Sequence, residues 1–213
     1  MKTFEFTNTD IEAIKRKDFN YLNNKGVDAY LAEDYDIAEE YYKVAAAMGC
    51  VEAISNLGYY YMYHANPLNR NKAITFFRVG ANFNSVESLY KLGDIYRNGI
   101  GIDKDVELGL YYFKQAFEII DKNSNSIDYR NYPSLFFAIA KEYMKGGSYN
   151  ENLNIAYFHL CNAMDGYEYS INNGLTYYEE AYNACSKIYN SKIFNGIREE
   201  VNNILDDNGV ENE

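Results

Sequence analysis

Apolar side chains recur three and four positions apart along most of this chain, in paired stretches separated by short glycine-marked or polar turns. In LYKLGDIYRNGIGIDKDVELGLYYFKQAF, residues 89–117, Leu89, Leu92, Gly93 and Tyr96 share one helical face. Gly109, Phe113 and Ala116 share another. The pattern predicts a helix, a turn at Gly99-Ile100-Gly101 and a second helix. A small residue beside a large one at fixed spacing lets two helices approach closely, the large side chain filling the gap.

Copies of this hairpin lie on both sides. The second helix reads AEEYYKVAA from Ala38, AITFFRVGA from Ala73, GLYYFKQAF from Gly109 and AYFHLCNAM from Ala156. Each begins small, is large four residues later (Tyr42, Phe77, Phe113, Leu160) and small again after seven (Ala45, Gly80, Ala116, Ala163). The first helix agrees independently: Leu57-Gly58, Leu92-Gly93 and Ile139-Ala140 are each followed three residues on by Tyr61, Tyr96 and Tyr143. Gly26 holds the same column in a more degenerate first copy. The step is 35 residues from Gly58 to Gly93 and from Ala38 to Ala73. It is 47 from Gly93 to Ala140 and from Gly109 to Ala156, so the extra residues lie between repeats, in the polar stretch around Asp121–Ser126.

Turn chemistry sets the boundaries. Asp34, Asn69 and Asp103 are N-cap candidates for the second helices, and Ser148 with Glu151 reads as a capping box for the fourth. Gly49 and Gly99 stand where helices should stop. Thr9 with Glu12 should start a short N-terminal helix carrying Ile11 and Ile14. Toward the other end, Leu175, Tyr178, Ala181, Cys185 and Ile188 predict a long amphipathic helix, and Ile197, Val201 and Leu205 another. The expectation is one all-α helical-repeat domain over residues 1–206, with repeats at about 19–50, 51–84, 86–120 and 133–165. Capping helices at about 10–17 and 174–206 close it, and 207–213 forms an acidic tail.

Composition narrows the chemistry. The net charge of −11 opposes a polyanionic partner, which argues against nucleic acid and anionic membranes. No run approaches the roughly 20 apolar residues of a membrane span, and the first residues lack a secretory signal pattern, so a cytoplasmic location is expected. Cys50, Cys161 and Cys185 are an odd number without a CxxC pair and read as small buried hydrophobes, neither disulfide nor zinc site. His64 and His159 have no ligand-spaced partner beside them. Gly99-Ile100-Gly101 joins two helices, whereas a phosphate-binding glycine fingerprint follows a strand. Catalytic constellations, metals and cofactors are not expected.

At Leu92-Gly93, Tyr96, Gly99-Ile100-Gly101-Ile102, Asp105, Gly109, Tyr112-Phe113-Lys114 and Ala116 the chain resembles the Sel1-like repeat, a relative of the tetratricopeptide repeat. The resemblance covers roughly residues 20–165; repeat two departs from it at Tyr63-His64-Ala65-Asn66-Pro67, and repeat four keeps Gly146-Gly147 but has Ile139-Ala140. It implies a right-handed α–α superhelix, a solenoid of about four helix pairs, whose first helices line a concave groove. Members are usually non-catalytic protein-binding scaffolds or adaptors, many of them bacterial. Carried over by position, the groove would present Asn23, Ser55, Tyr90 and Phe137 before the glycine column and Val27, Tyr59, Asp94 and Lys141 after it. Arg97 follows further along, with Glu52 and Glu87 near the helix starts. That mixture of aromatic, acidic and amide groups suits a protein or peptide of basic character. Self-association through the ends is a further expectation. The rival function is an inhibitor, a toxin-immunity protein or phage-encoded antagonist, whose acidity would shield a basic surface of a target enzyme.

Overall fold

The computed structural model describes residues 4–65, 69–145 and 152–207, with side chains as far as residue 203. Among the described residues the regular structure is entirely helical: eleven α-helices with a few short 3-10 turns. Asn66, Pro67, Gly146, Gly147, the Ser148–Glu151 capping box, the side chain of Leu205 and all of the acidic tail beyond Asp207 lie outside the described residues. The chain divides into two compact units, Met1–Ile119 and Ile120–Glu213.

The first unit holds α1 (Asn8–Arg16), α2 (Phe19–Leu31), α3 (Tyr35–Ala47), α4 (Val51–Tyr63), α5 (Arg70–Asn82), α6 (Val86–Asn98) and most of α7 (Val106–Lys122). Three hairpins follow α1: α2 with α3, α4 with α5, and α6 with α7. The small–large columns make the contacts that define them. Tyr42, Phe77 and Phe113 are buried at 2, 0 and 1% exposure. Each lies against the glycine of the preceding helix: an added Cβ would stand 2.5 Å from Tyr42 at Gly26, 2.5 Å from Phe77 at Gly58 and 2.4 Å from Phe113 at Gly93. In the third hairpin Gly93 faces Phe113, Tyr96 stacks on Tyr112 and Arg97 meets Gly109, so one number rises as the other falls. That is the signature of antiparallel helices. The small positions Ala38, Ala45, Ala73 and Ala116 are fully buried, as the sequence pattern requires.

Between hairpins, hydroxyl groups take over. Ser55 on α4 bonds to Ser88 and Ser85 across α6, at 2.8 and 2.9 Å, beneath Gly80 of α5. The N-terminus is locked by Asp10, fully buried, which accepts from the Thr7 amide (2.7 Å), the Thr7 hydroxyl (2.7 Å), Tyr21 (3.1 Å) and Tyr41 (3.0 Å).

The caps depart from expectation in two places. Thr7, not Thr9, caps α1, with Asp10 completing the box two residues earlier than the Thr9–Glu12 pattern. Asp105, not Asp103, caps α7, its carboxylate accepting from the Leu108 amide at 3.0 Å. Asp34 and Asn69 occupy the N-cap positions of α3 and α5 but make no side-chain capping bond. Gly99 terminates α6 in the left-handed conformation, φ 71°, which glycine adopts without the Cβ clash.

The second unit holds α8 (Pro133–Lys145), α9 (Leu153–Asn172), α10 (Glu179–Tyr189) and α11 (Asn195–Asp207). Its leading pair repeats the packing logic, with Ala140, Ala156, Leu160 and Ala163 all at 0% exposure. Asn152 caps α9 through the Ile155 amide. The long helix expected from Leu175 begins only at Glu179; Leu175 is 39% exposed and precedes a 3-10 turn. What docks α10 and the turn after it is Cys185, Tyr189 and Phe194: Tyr157 of α9 stacks on Tyr189 at 5.1 Å and lies 5.6 Å from the Phe194 ring. Cys50 and Cys185 are buried and Cys161 is half-buried, all as free thiols.

Candidate binding face

In the first unit the leading helices of the three hairpins, α2, α4 and α6, touch along one face. Asn56 donates its side-chain amide to Asn23 at 3.0 Å, tying α4 to α2. The Tyr59 hydroxyl donates to the Glu87 carboxylate, tying α4 to α6. Helical spacing sets the rest. Tyr63 is one turn beyond Tyr59, their rings 6.0 Å apart and nearly parallel. Lys91 is one turn beyond Glu87 and reaches across to α4. Its ammonium lies 4.8 Å from the Tyr59 ring centre, 5.8 Å from Tyr63 and 5.1 Å from Tyr90.

These rings are rooted in the core. Tyr59 sets its edge on Phe77 (5.6 Å, 89°) and Tyr90 stacks on Phe113 (6.0 Å), the two large residues that fill the hairpin gaps. Glu87 is half-buried. Removal from water pushes its carboxyl above the ordinary range, and the Lys91 charge works the other way. At the far end of α2 and α4, Tyr30 shares a 2.7 Å hydrogen bond with His64 Nε2, and Tyr35 stacks on the imidazole at 3.8 Å.

The structure brings Asn23, Tyr59, Glu87 and Tyr90 to this face. Val27 is half-buried against the core of the unit. Ser55 is 4% exposed and committed to its hydroxyl neighbours. Glu52 is exposed in the first turn of α4, with the Cys50 thiol 3.4 Å from its carboxylate. Asp94 accepts from the Asn98 amide one turn on, at 2.7 Å. Arg97 is half-buried beside Gly109. Phe137 and Lys141 belong to the second unit. There Phe137 is 9% exposed with its edge toward Tyr167, and the Lys141 ammonium sits 4.3 Å above the Phe137 ring. Sequence reasoning missed Asn56, Tyr63 and Lys91. The i,i+4 relation of Tyr63 to Tyr59 and of Lys91 to Glu87 was there to be read.

Other chemistry is sparse among the described residues. No three His, Cys, Asp or Glu side chains are grouped to hold a metal, and no helix is long and apolar enough to cross a membrane. A shallow depression of about 520 Å³ lies over Arg78, Tyr96 and the turn 102–107, with charges of both signs. His159 is buried between α8 and α9 beside the Phe136 and Tyr143 rings, where burial lowers its pKa to about 4.

Comparison with known proteins agrees with this architecture. The Sel1 repeat pattern matches residues 21–50, 51–82 and 86–118, which are the three hairpins of the first unit. An uncharacterized Sel1-like repeat-containing protein of Schizosaccharomyces pombe is 31% identical over 110 residues, 51% of this chain but only 16% of the yeast protein. A Sel1 repeat protein from Oxalobacter formigenes superposes with a TM-score of 0.58 at 20% identity, over 76% of this chain and 61% of that one. A protective antigen of uropathogenic Escherichia coli, displaying an SLR fold, superposes with 0.54 at 22% identity, over 78% of this chain and 34% of its own. The chain thus spans less than two thirds of each of these relatives. With three matched repeats folded as three packed hairpins, residues 21–118 carry Sel1-like repeats, in an all-α, tetratricopeptide-like fold.

Proposed function

We propose that this protein is a non-catalytic scaffold or adaptor that holds a protein or peptide partner of basic character on the face shared by α2, α4 and α6. Sel1-like repeats typically mediate protein binding, which sets the general class. The observation that carries the finer reading is the tyrosine group Tyr59, Tyr63 and Tyr90 with Glu87 on one face. Rigid aromatic anchors match the usual make-up of binding hot spots, and the carboxylate beside them complements a basic partner. The charge of −11 adds long-range attraction for a basic surface.

The test is affinity capture from the source organism, read by mass spectrometry, with the wild-type chain and a Tyr59→Ala/Tyr63→Ala variant. The partner should be lost from the variant while its helical circular dichroism is kept. Equal recovery by both would move the site elsewhere. The acidity also favours a second reading, an inhibitor covering a basic surface of an enzyme. That reading requires affinity to fall steeply with salt and the target's activity to fall on binding.

A further inference from the structure

The tyrosine group on α4 and α6 surrounds an ammonium that belongs to the protein itself. Lys91 places its charge within 6 Å of three ring centres, the range over which an aromatic face attracts a cation. Its ammonium makes these three ring contacts, and its charge also acts on Glu87 one turn earlier. Tyr59 is held in position from two sides, by the hydrogen bond to Glu87 and by the edge contact with Phe77. Tyr90 is held by Phe113. Two of the three rings are therefore fixed by contacts that do not involve Lys91.

We infer that Tyr59, Tyr63, Tyr90 and Glu87 form a seat for a lysine side chain of the partner, which Lys91 fills until the partner arrives. The inference rests on the reading of this face as the partner-binding one and adds what is recognised there. The resident group is the template: a site that accepts one lysine ammonium has the dimensions and charge to accept another. Exchange costs little, because the incoming ammonium restores each ring contact while Lys91 gains full hydration on its four-carbon stem. It is also selective. A neutral or acidic side chain displacing Lys91 would leave the half-buried Glu87 carboxylate without a nearby cation, which is unfavourable. Guanidinium is larger and planar and prefers to stack on one ring, so lysine fits this three-sided enclosure better than arginine.

The probe is a fluorescent pentalysine peptide, with binding followed by anisotropy at physiological salt. Lys91→Ala empties the seat, and Lys114→Ala makes the same charge change on α7, where the side chain is exposed. Emptying the seat should raise pentalysine affinity about fivefold, against less than about twofold for Lys114→Ala. Tyr63→Leu, at a position already 58% exposed and so tolerant of change, should lower affinity about fivefold. Equal effects of the two alanine substitutions, or full affinity in Tyr63→Leu, would overturn the seat. Should the captured partner be lost from Tyr59→Ala/Tyr63→Ala while the two alanine variants bind pentalysine alike, the face stands and the seat falls.

Discussion

Phe113 occupies the space that a methyl group on Gly93 would need. An added Cβ would stand 2.4 Å from the ring and 3.0 Å from the Gly109 carbonyl oxygen. The ring has nowhere to retreat, being 1% exposed and stacked against Tyr90. Gly93→Ala therefore sets a gain in helix propensity of about 1 kcal/mol against overpacking of about 1–3 kcal/mol. We expect a net loss of roughly 1 kcal/mol and a lower melting temperature. Phe113→Leu in the Gly93→Ala background should recover part of it. Additive losses in the double-mutant cycle would show that the two positions do not share the gap.

This contact was legible in the sequence because a hairpin writes it at fixed spacing, small against large, and then repeats it. The caps were less so. Thr7 and Thr9, and Asp103 and Asp105, stand two residues apart, and local pattern does not choose between them; the turn geometry does. Ser55 was placed in the groove by position, yet its hydroxyl turns to Ser85 and Ser88 because Gly80 lets the neighbouring hairpin approach. The lysine enclosure was hidden for a different reason. Its walls come from two hairpins, and no periodicity within one repeat records that Lys91 reaches Tyr59.

Asp10 tests how α1 is fastened. Its carboxylate is satisfied by both Thr7 donors and by two tyrosine hydroxyls from α2 and α3. Burial raises its pKa, the hydrogen bonds lower it, and the balance lies below the ordinary value of 3.8. Since the folded pKa is depressed, this stabilisation is complete above about pH 4 and is lost as pH falls through the folded value. Asp10→Ala strands the Tyr41 hydroxyl in the core and should cost about 1–3 kcal/mol. Hydrogen exchange should then quicken in α1 first. Protection unchanged there would mean that Phe4 and Phe6, packed edge-on against Tyr41, do the fastening instead.

His159 should make the second unit acid-sensitive well above the carboxylate range. Its pKa is lowered by burial to about 4, against 6.5 in the unfolded chain. Between those values the unfolded state binds the extra proton, so stability falls as pH falls. Unfolding free energy of the second unit should drop by about 1.4 kcal/mol from pH 7.5 to 5.5. His159→Leu should flatten that slope in urea titrations followed through a probe in the second unit. The same slope in the variant would assign the acid sensitivity to other groups.

Phe194 is the residue on which the end of the second unit turns. The sequence offered Leu175 and Val201 for docking, but they are 39 and 38% exposed, whereas Phe194 is fully buried. It escapes a periodicity search because it sits in the 3-10 turn Lys192–Phe194, where the helical phase breaks between α10 and α11. Its ring meets Tyr157, whose own ring stacks on Tyr189 and whose hydroxyl donates to that of Tyr189 at 2.9 Å. Removing the ring leaves a cavity beside two tyrosines that are tied to each other and so collapse poorly onto it. Phe194→Ala should cost about 3 kcal/mol or more. It should open the segment from Glu179 onward to limited proteolysis while α8 and α9 stay protected. Phe194→Leu, which keeps most of the volume, should lose less than half as much. If the alanine variant resists protease as wild type does, the stack of Tyr157 on Tyr189 holds this segment without the phenylalanine.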